Sequence, residues 1–174
     1  SISGTSVARD FVELPSQLYE HWLEQPEVLD RHARHAETGA ALPADLRDRI
    51  IAAGNADQGA ATLEYLQSAL VDLAFHRGQP PADPMARQAE VLAALDAPAA
   101  IPMRHATPHF AHVFTGDGYS SGYYSYLWSE VMDADAFEAF VEAGDIFDAE
   151  TAQRLEKSIL SRGGSLPADQ LWTD

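Results

Sequence analysis

Four tyrosines fall within eight residues, at Tyr119, Tyr123, Tyr124 and Tyr126, directly behind a glycine-rich loop carrying Gly116 and Gly118. A phenol taken out of water must still satisfy its hydroxyl, so crowding several together favours a polar cleft in which phenols donate hydrogen bonds to a ligand. Aromatic packing between helices accounts for the same cluster equally well. Gly116 and Gly118 would let the backbone approach a substrate closely or take positive φ, and the loop delivers Tyr119 at a helix entrance. Just upstream, His105, His109 and His112 stand at spacings of four and three, which on one continuous helix would make a three-histidine metal face. Pro108 lies inside that span and weakens the arrangement. A histidine hydrogen-bonding to a developing negative charge is the better reading.

The second chemistry-bearing stretch runs from Asp10 to Trp22. On a helix, Phe11, Leu14, Leu18 and Trp22 form an apolar stripe, while Glu13, Gln17 and Glu20 occupy a neighbouring face. A solvated polar face explains those three residues, since exposed helical glutamates are the rule. Spacing alone therefore gives Glu13 little claim to a metal. Pro15 is the oddity, because a proline inside a helix removes a hydrogen bond and kinks it.

The elements that must position these residues read as helices. Leu14, Leu18 and Trp22 repeat at four-residue spacing, as do Leu66, Leu70 and Ala74. The pattern predicts helices over 8–24, 26–36, 43–54, 57–76, 84–96, 121–143, 148–161 and 167–172, with Asp148 and Glu150 forming an acidic first turn. Breaks fall at Gly39 to Pro43, Gly78 to Pro84, Pro98 to Pro108, Gly116 to Gly118 and Gly163-Gly164. Each joins segments too short to fold alone, so residues 1–174 are expected to form a single all-α unit.

Composition narrows the function classes. With 174 residues and 46% hydrophobic content the chain can bury a real core. The formal charge is −16, and Lys157 is the one lysine among eleven basic residues. No basic stripe exists to neutralise phosphates or anionic lipid, so neither nucleic acid nor a membrane surface is an expected partner. No cysteine is present, which excludes disulfides, thiolate metal sites and cysteine nucleophiles. No apolar run approaches bilayer length and Ser1-Ile2-Ser3-Gly4 has no signal-peptide character, from which a cytoplasmic location is the expectation. No phosphate-binding GxxxxGK[ST] motif occurs, and residue order assigns no Ser-His-Asp arrangement.

At the two stretches the sequence resembles the thimet oligopeptidase, oligopeptidase A and peptidyl-dipeptidase Dcp family of zinc metallopeptidases. Ser3-Gly4-Thr5 and Asp10-Phe11-Val12-Glu13-Leu14-Pro15-Ser16-Gln17 match the family's third-ligand motif. Phe110 to Phe114 and Gly118 to Trp128 match its Phe-x-His-x-Phe and Gly-Tyr-x-x-Gly-Tyr-Tyr-x-Tyr-Leu-Trp segments.

The resemblance implies an all-α fold, the C-terminal helical part of a zincin-like oligopeptidase catalytic domain. It implies that Glu13 is a zinc ligand, that Tyr119 and Tyr126 donate hydrogen bonds to the oxyanion or scissile carbonyl, and that His112 assists. By the same resemblance Tyr123 touches the peptide, beside the substrate-binding positions expected at Gly116 and Gly118 from their backbone freedom.

No His-Glu-x-x-His occurs in the chain. The resemblance therefore places the two histidine ligands of Zn2+ and the general-base glutamate outside these residues, in a missing N-terminal part of the same polypeptide. A single carboxylate cannot hold catalytic zinc, which calls for three protein ligands and an open position. The isolated chain is thus expected to bind no catalytic zinc, to be inactive, and to self-associate through uncovered apolar faces. In the complete enzyme the substrates would be short peptides. The alternative of another class is a non-catalytic acidic helical module that binds a peptide or partner.

Overall fold

Prolines, acidic caps and left-handed residues decide where the helices of this chain begin and end. The computed structural model describes residues 3–54 and 56–173, and the protein is all-α. Its helices are α1 (Leu14–Leu23), α2 (Pro26–His32), α3 (Ala44–Gly54), α4 (Gln58–His76), α5 (Pro84–Ala94), α6 (Ala111–Phe114), α7 (Ser125–Glu142), α8 (Ala149–Leu155) and α9 (Ala168–Thr173). Short 3-10 turns at Thr107–His109 and Gly163–Ser165 and a π turn at Glu156–Leu160 link them. Among the described residues no helix is long and apolar enough to cross a membrane.

Several boundaries follow directly from the residues. Asp83 caps α5 by accepting from the backbone N–H of Met85 and Ala86 at 2.9 and 3.0 Å, and Pro84 opens the helix where its missing N–H is harmless. Asp148 caps α8 by accepting from Thr151 N–H at 2.7 Å, a bond that holds its carboxyl below the ordinary value.

Other boundaries correct the sequence reading. The helix expected over 8–24 starts only at Leu14. Asp10 to Glu13 form tight turns, and Pro15 sits in the first helical turn, where it starts the helix and kinks nothing. The helix expected over 26–36 ends at His32, after which Ala33 is extended and Arg34 bridges to Ala41 around Gly39 at φ +69°. The helix expected over 121–143 starts at Ser125, because Ser121 is left-handed at φ 58°.

The chain divides into two compact units, residues 57–126 and the remainder, 1–56 with 127–174. In the discontinuous unit Phe11, Leu14 and Leu171 are buried together, with Val7, Met132, Ile159, Leu166, Ala168 and Trp172 packed around them. Trp22 meets Phe137 and Phe140 edge-on and donates from Nε1 to the Ile146 carbonyl at 3.0 Å. Its neighbour His21 stacks on Phe137 and lies 2.7 Å from the buried Asp133 carboxylate.

In the 57–126 unit the core is Ala69, Phe110, Val113 and Tyr123, with Tyr65, Tyr119 and Tyr126 against it. The buried face of α4 is Gln67, Ser68, Ala69, Val71 and Asp72, whereas Leu70 remains 39% exposed. Polar side chains can occupy that face because they are bonded: Gln67 Nε2 donates to the Ile101 carbonyl at 3.0 Å and Ser68 Oγ to the Glu64 carbonyl at 3.2 Å.

Asp133 supplies a stability prediction. Burial raises its carboxyl pKa above the ordinary value, and the hydrogen bond from His21 opposes that shift without cancelling it. The folded state therefore holds more protons than the unfolded chain between the ordinary and the raised value, so stability falls as pH rises through that window. Asp133→Asn removes the charge and keeps an acceptor for His21. In urea titrations the variant should gain stability relative to wild type as pH is raised from the ordinary aspartate value through the raised one.

Candidate functional site

Phe110 and Val113, both fully buried, fix α6 against the core of its unit and leave His112 on the outer face. His112 Nε2 lies 2.9 Å from the Tyr126 hydroxyl. Its ring meets the edges or faces of three phenols, with centroids 4.6 Å from Tyr119, 5.4 Å from Tyr123 and 5.6 Å from Tyr126. Tyr119 and Tyr126 stack in parallel at 5.7 Å with planes 3° apart.

Burial sorts these phenols. Tyr123 is 5% exposed, its ring edge-on to Phe110 at 4.8 Å and stacked on Tyr65 at 5.3 Å. Tyr65 donates from its hydroxyl to the Tyr123 carbonyl. Tyr123 thus forms the floor of the cluster, while Tyr119 and Tyr126 are partly exposed and His112 is exposed. Tyr124 is 39% exposed.

The loop before Tyr119 is tied back by Ser120, whose Oγ donates to the carbonyls of Gly116 and Val113 at 3.3 and 3.4 Å. A Cβ added at Gly116 would meet nothing within 4 Å, so no contact inside the chain demands glycine there. Gly118 lies beside it on the same exposed turn.

The three-histidine metal face does not form. Pro108 holds Thr107–His109 in a 3-10 turn, α6 begins separately at Ala111, and His105 stacks on Phe110 at 5.2 Å. Among the described residues no group of three or more histidine or acidic side chains is placed to hold a metal ion.

Glu13 belongs to the other unit. It occupies the position preceding α1, with Phe11 and Leu14 on either side plugged into the core and the Asp10 carbonyl accepting from the buried Ser129 hydroxyl at 3.1 Å. The Glu13 side chain is only half-buried, and Ser16 Oγ donates to its Oε2 at 2.9 Å. A carboxylate with one oxygen oriented by a hydroxyl, on a rigid helix start, is a suitable single metal ligand. By itself it does not make a zinc site, because among the described residues no further histidine or acidic side chains join it in a group of three that could hold a metal.

Two contributors escaped the sequence reading. Asp72 is fully buried and accepts from the backbone N–H of Ser121 and of Tyr123, both at 3.0 Å. His76, one helical turn on, pairs with it at 2.7 Å. The only sequence signal was an Asp and a His four apart on a helix that otherwise reads as apolar.

A model of Peptidase family M3 matches residues 1–174. The chain is 40% identical over 181 residues to a dipeptidyl carboxypeptidase of Salmonella typhimurium, covering 99% of this chain and 26% of that protein. It is 44% identical over 169 residues to oligopeptidase A of Escherichia coli, covering 94% and 24%. A thimet-like oligopeptidase of Dictyostelium discoideum is 37% identical over 172 residues, covering 97% and 25%. The chain spans about a quarter of the length of the curated relatives it matches.

Proposed function

Because this chain belongs to peptidase family M3, we propose that it is the substrate-facing part of a zinc-dependent oligopeptidase or peptidyl-dipeptidase that hydrolyses short peptides. The observation that carries this reading is the 2.9 Å contact between His112 and Tyr126, with Tyr119 stacked alongside. It is a set of donors held ready before any substrate arrives.

Peptide hydrolysis places negative charge on the former carbonyl oxygen, and donors already aimed at that oxygen lower the barrier without reorganising. When His112 donates Nε2–H to the Tyr126 oxygen, the phenol turns its own hydrogen toward the substrate and becomes a stronger donor. Tyr119, held parallel to it, is the second donor. Tyr123 forms the floor beneath the peptide, and the turn with Gly116 and Gly118 is its rim, where bare backbone lets an extended substrate lie close.

Glu13 supplies one carboxylate ligand. The two histidine ligands and the general-base glutamate come from outside these 174 residues. Bound zinc would polarise the scissile carbonyl and lower the pKa of the attacking water. Alone, this chain holds no catalytic zinc and hydrolyses nothing.

The test is an assay of the full-length protein and of the 174-residue chain on a short internally quenched peptide, with and without a metal chelator. Cleavage by the full-length protein that the chelator abolishes, together with silence from the chain alone, is expected. Cleavage by the chain alone would contradict the division of the site, and a full-length protein that cuts no peptide would contradict the reading itself.

A further inference from the structure

The chemistry so far does not use the pair formed by Asp72 and His76, whose side chains lie 2.7 Å apart in the unit that carries the tyrosines. Asp72 has no solvent exposure, yet it lies on α4 with both carboxylate oxygens engaged. Oδ1 accepts from Ser121 N–H and Oδ2 from Tyr123 N–H, each at 3.0 Å. His76 Nδ1 lies 2.7 Å from Oδ1 and 2.9 Å from the Asp72 carbonyl oxygen. Both of those atoms are acceptors, so Nδ1 carries the hydrogen and the imidazole fixes the carboxylate's orientation.

What the carboxylate holds is the backbone between the two outward-facing phenols. Ser121 is left-handed at φ 58°, a conformation that a non-glycine residue keeps only when its surroundings impose it. Two N–H groups converging on one buried carboxylate are such an imposition. On its other side His76 stacks on Phe114 at 5.3 Å, with ring planes 28° apart. Phe114 closes α6 two residues after His112. One hydrogen-bonded Asp–His pair therefore touches both the tyrosine loop and the helix that carries His112.

We propose that Asp72 is a positioning residue for the tyrosine donors, with His76 as the partner that orients it; this rests on the reading of Tyr119 and Tyr126 as oxyanion donors. Asp72 touches no substrate. It sets the backbone from Ser121 to Tyr123, and through it the distance and angle at which Tyr119 and Tyr126 meet the reacting oxygen.

The experiment is a double-mutant cycle in the full-length protein with Asp72→Asn and Tyr119→Phe, reading kcat and KM separately on a short peptide. Asparagine keeps the shape but turns an N–H toward a backbone N–H, which displaces the loop. A displacement on the ångström scale should lower kcat by roughly a hundredfold, while KM changes little. In the Tyr119→Phe background the same change should cost much less, because part of what Asp72 positions is already gone. His76→Asn, whose amide N–H replaces Nδ1–H, should retain most of kcat, and His76→Leu should not.

If Asp72→Asn leaves kcat unchanged, Asp72 serves only stability; if its loss multiplies in full with that of Tyr119→Phe, it acts apart from that donor; either result overturns the proposal while the tyrosine reading stands. If Tyr119→Phe and Tyr126→Phe both keep wild-type kcat, the tyrosine reading falls and takes this one with it. Should Asp72→Asn fail to fold, the His76→Leu and Tyr119→Phe pair decides by the same criterion of coupling.

Discussion

Replacing Tyr126 by phenylalanine in the full-length protein should lower kcat by roughly 10²–10³-fold, the usual cost of losing one oxyanion donor. KM should stay close to wild type, because the hydroxyl is asked to bind the transition state more strongly than the substrate. The prediction separates chemistry from folding. The Tyr126 hydroxyl lies 2.9 Å from Nε2 of His112, an exposed residue, and in the variant the ring remains to stack on Tyr119 and to meet Tyr123. Thermal unfolding should therefore shift little while kcat collapses. His112→Ala should lower kcat less than Tyr126→Phe, since it removes the orienting group and leaves the donor. Steady-state kinetics on a short peptide checks both, and a Tyr126→Phe enzyme with wild-type kcat would remove the phenol from the reaction.

Glu13→Gln should abolish hydrolysis and strip the metal. Glutamine has the shape of glutamate and still accepts from Ser16 Oγ, which now lies 2.9 Å from Oε2. Phe11 and Leu14, which hold the segment in the core, are untouched. The substitution thus removes the anionic charge while keeping the shape of the side chain. A catalytic zinc site needs three protein ligands, so the dialysed full-length variant should drop from about one zinc per molecule to almost none, and added zinc should not restore wild-type turnover. Circular dichroism should remain that of the wild type. A variant that retains its metal and its activity would show that Glu13 is an ordinary polar residue at a helix start.

The helices were legible where local chemistry defines them. Leu14 and Leu18 recur on one face of α1 and are fully buried, and Asp83-Pro84 and Asp148 mark the starts of α5 and α8 with groups that bond the first-turn N–H. Pro15 was misread because its meaning depends on where the helix begins. Inside a helix it kinks, and in the first turn it fits.

On α4 the four-residue spacing of Leu66, Leu70 and Ala74 marked a helix, and that helix turns Gln67, Ser68 and Asp72 inward. That choice is made by acceptors and donors elsewhere in the chain, which periodicity cannot register.

The site divides along the same line. The tyrosine cluster stood out as a dense local motif, whereas spacing gave Glu13 little claim to a metal and its expected role came from the family resemblance alone. Asp72 did not stand out, because its two backbone partners lie 49 and 51 residues away in sequence. A buried carboxylate that accepts from a distant loop leaves no spacing to read. The three-histidine face failed for a local reason that the sequence did contain: Pro108 prevents the single continuous helix that such a face requires.

The central claim is that the phenols of Tyr119 and Tyr126 grip the oxyanion while Glu13 serves the metal. A crystal structure of the full-length protein with a phosphinic peptide, a mimic of the tetrahedral intermediate, tests it most directly. The account predicts one phosphinate oxygen within hydrogen-bonding distance of the Tyr126 hydroxyl, with Tyr119 beside it and a Glu13 oxygen on the zinc. A phosphinate that sits on zinc with both phenols out of reach, or a zinc that Glu13 does not touch, would contradict it.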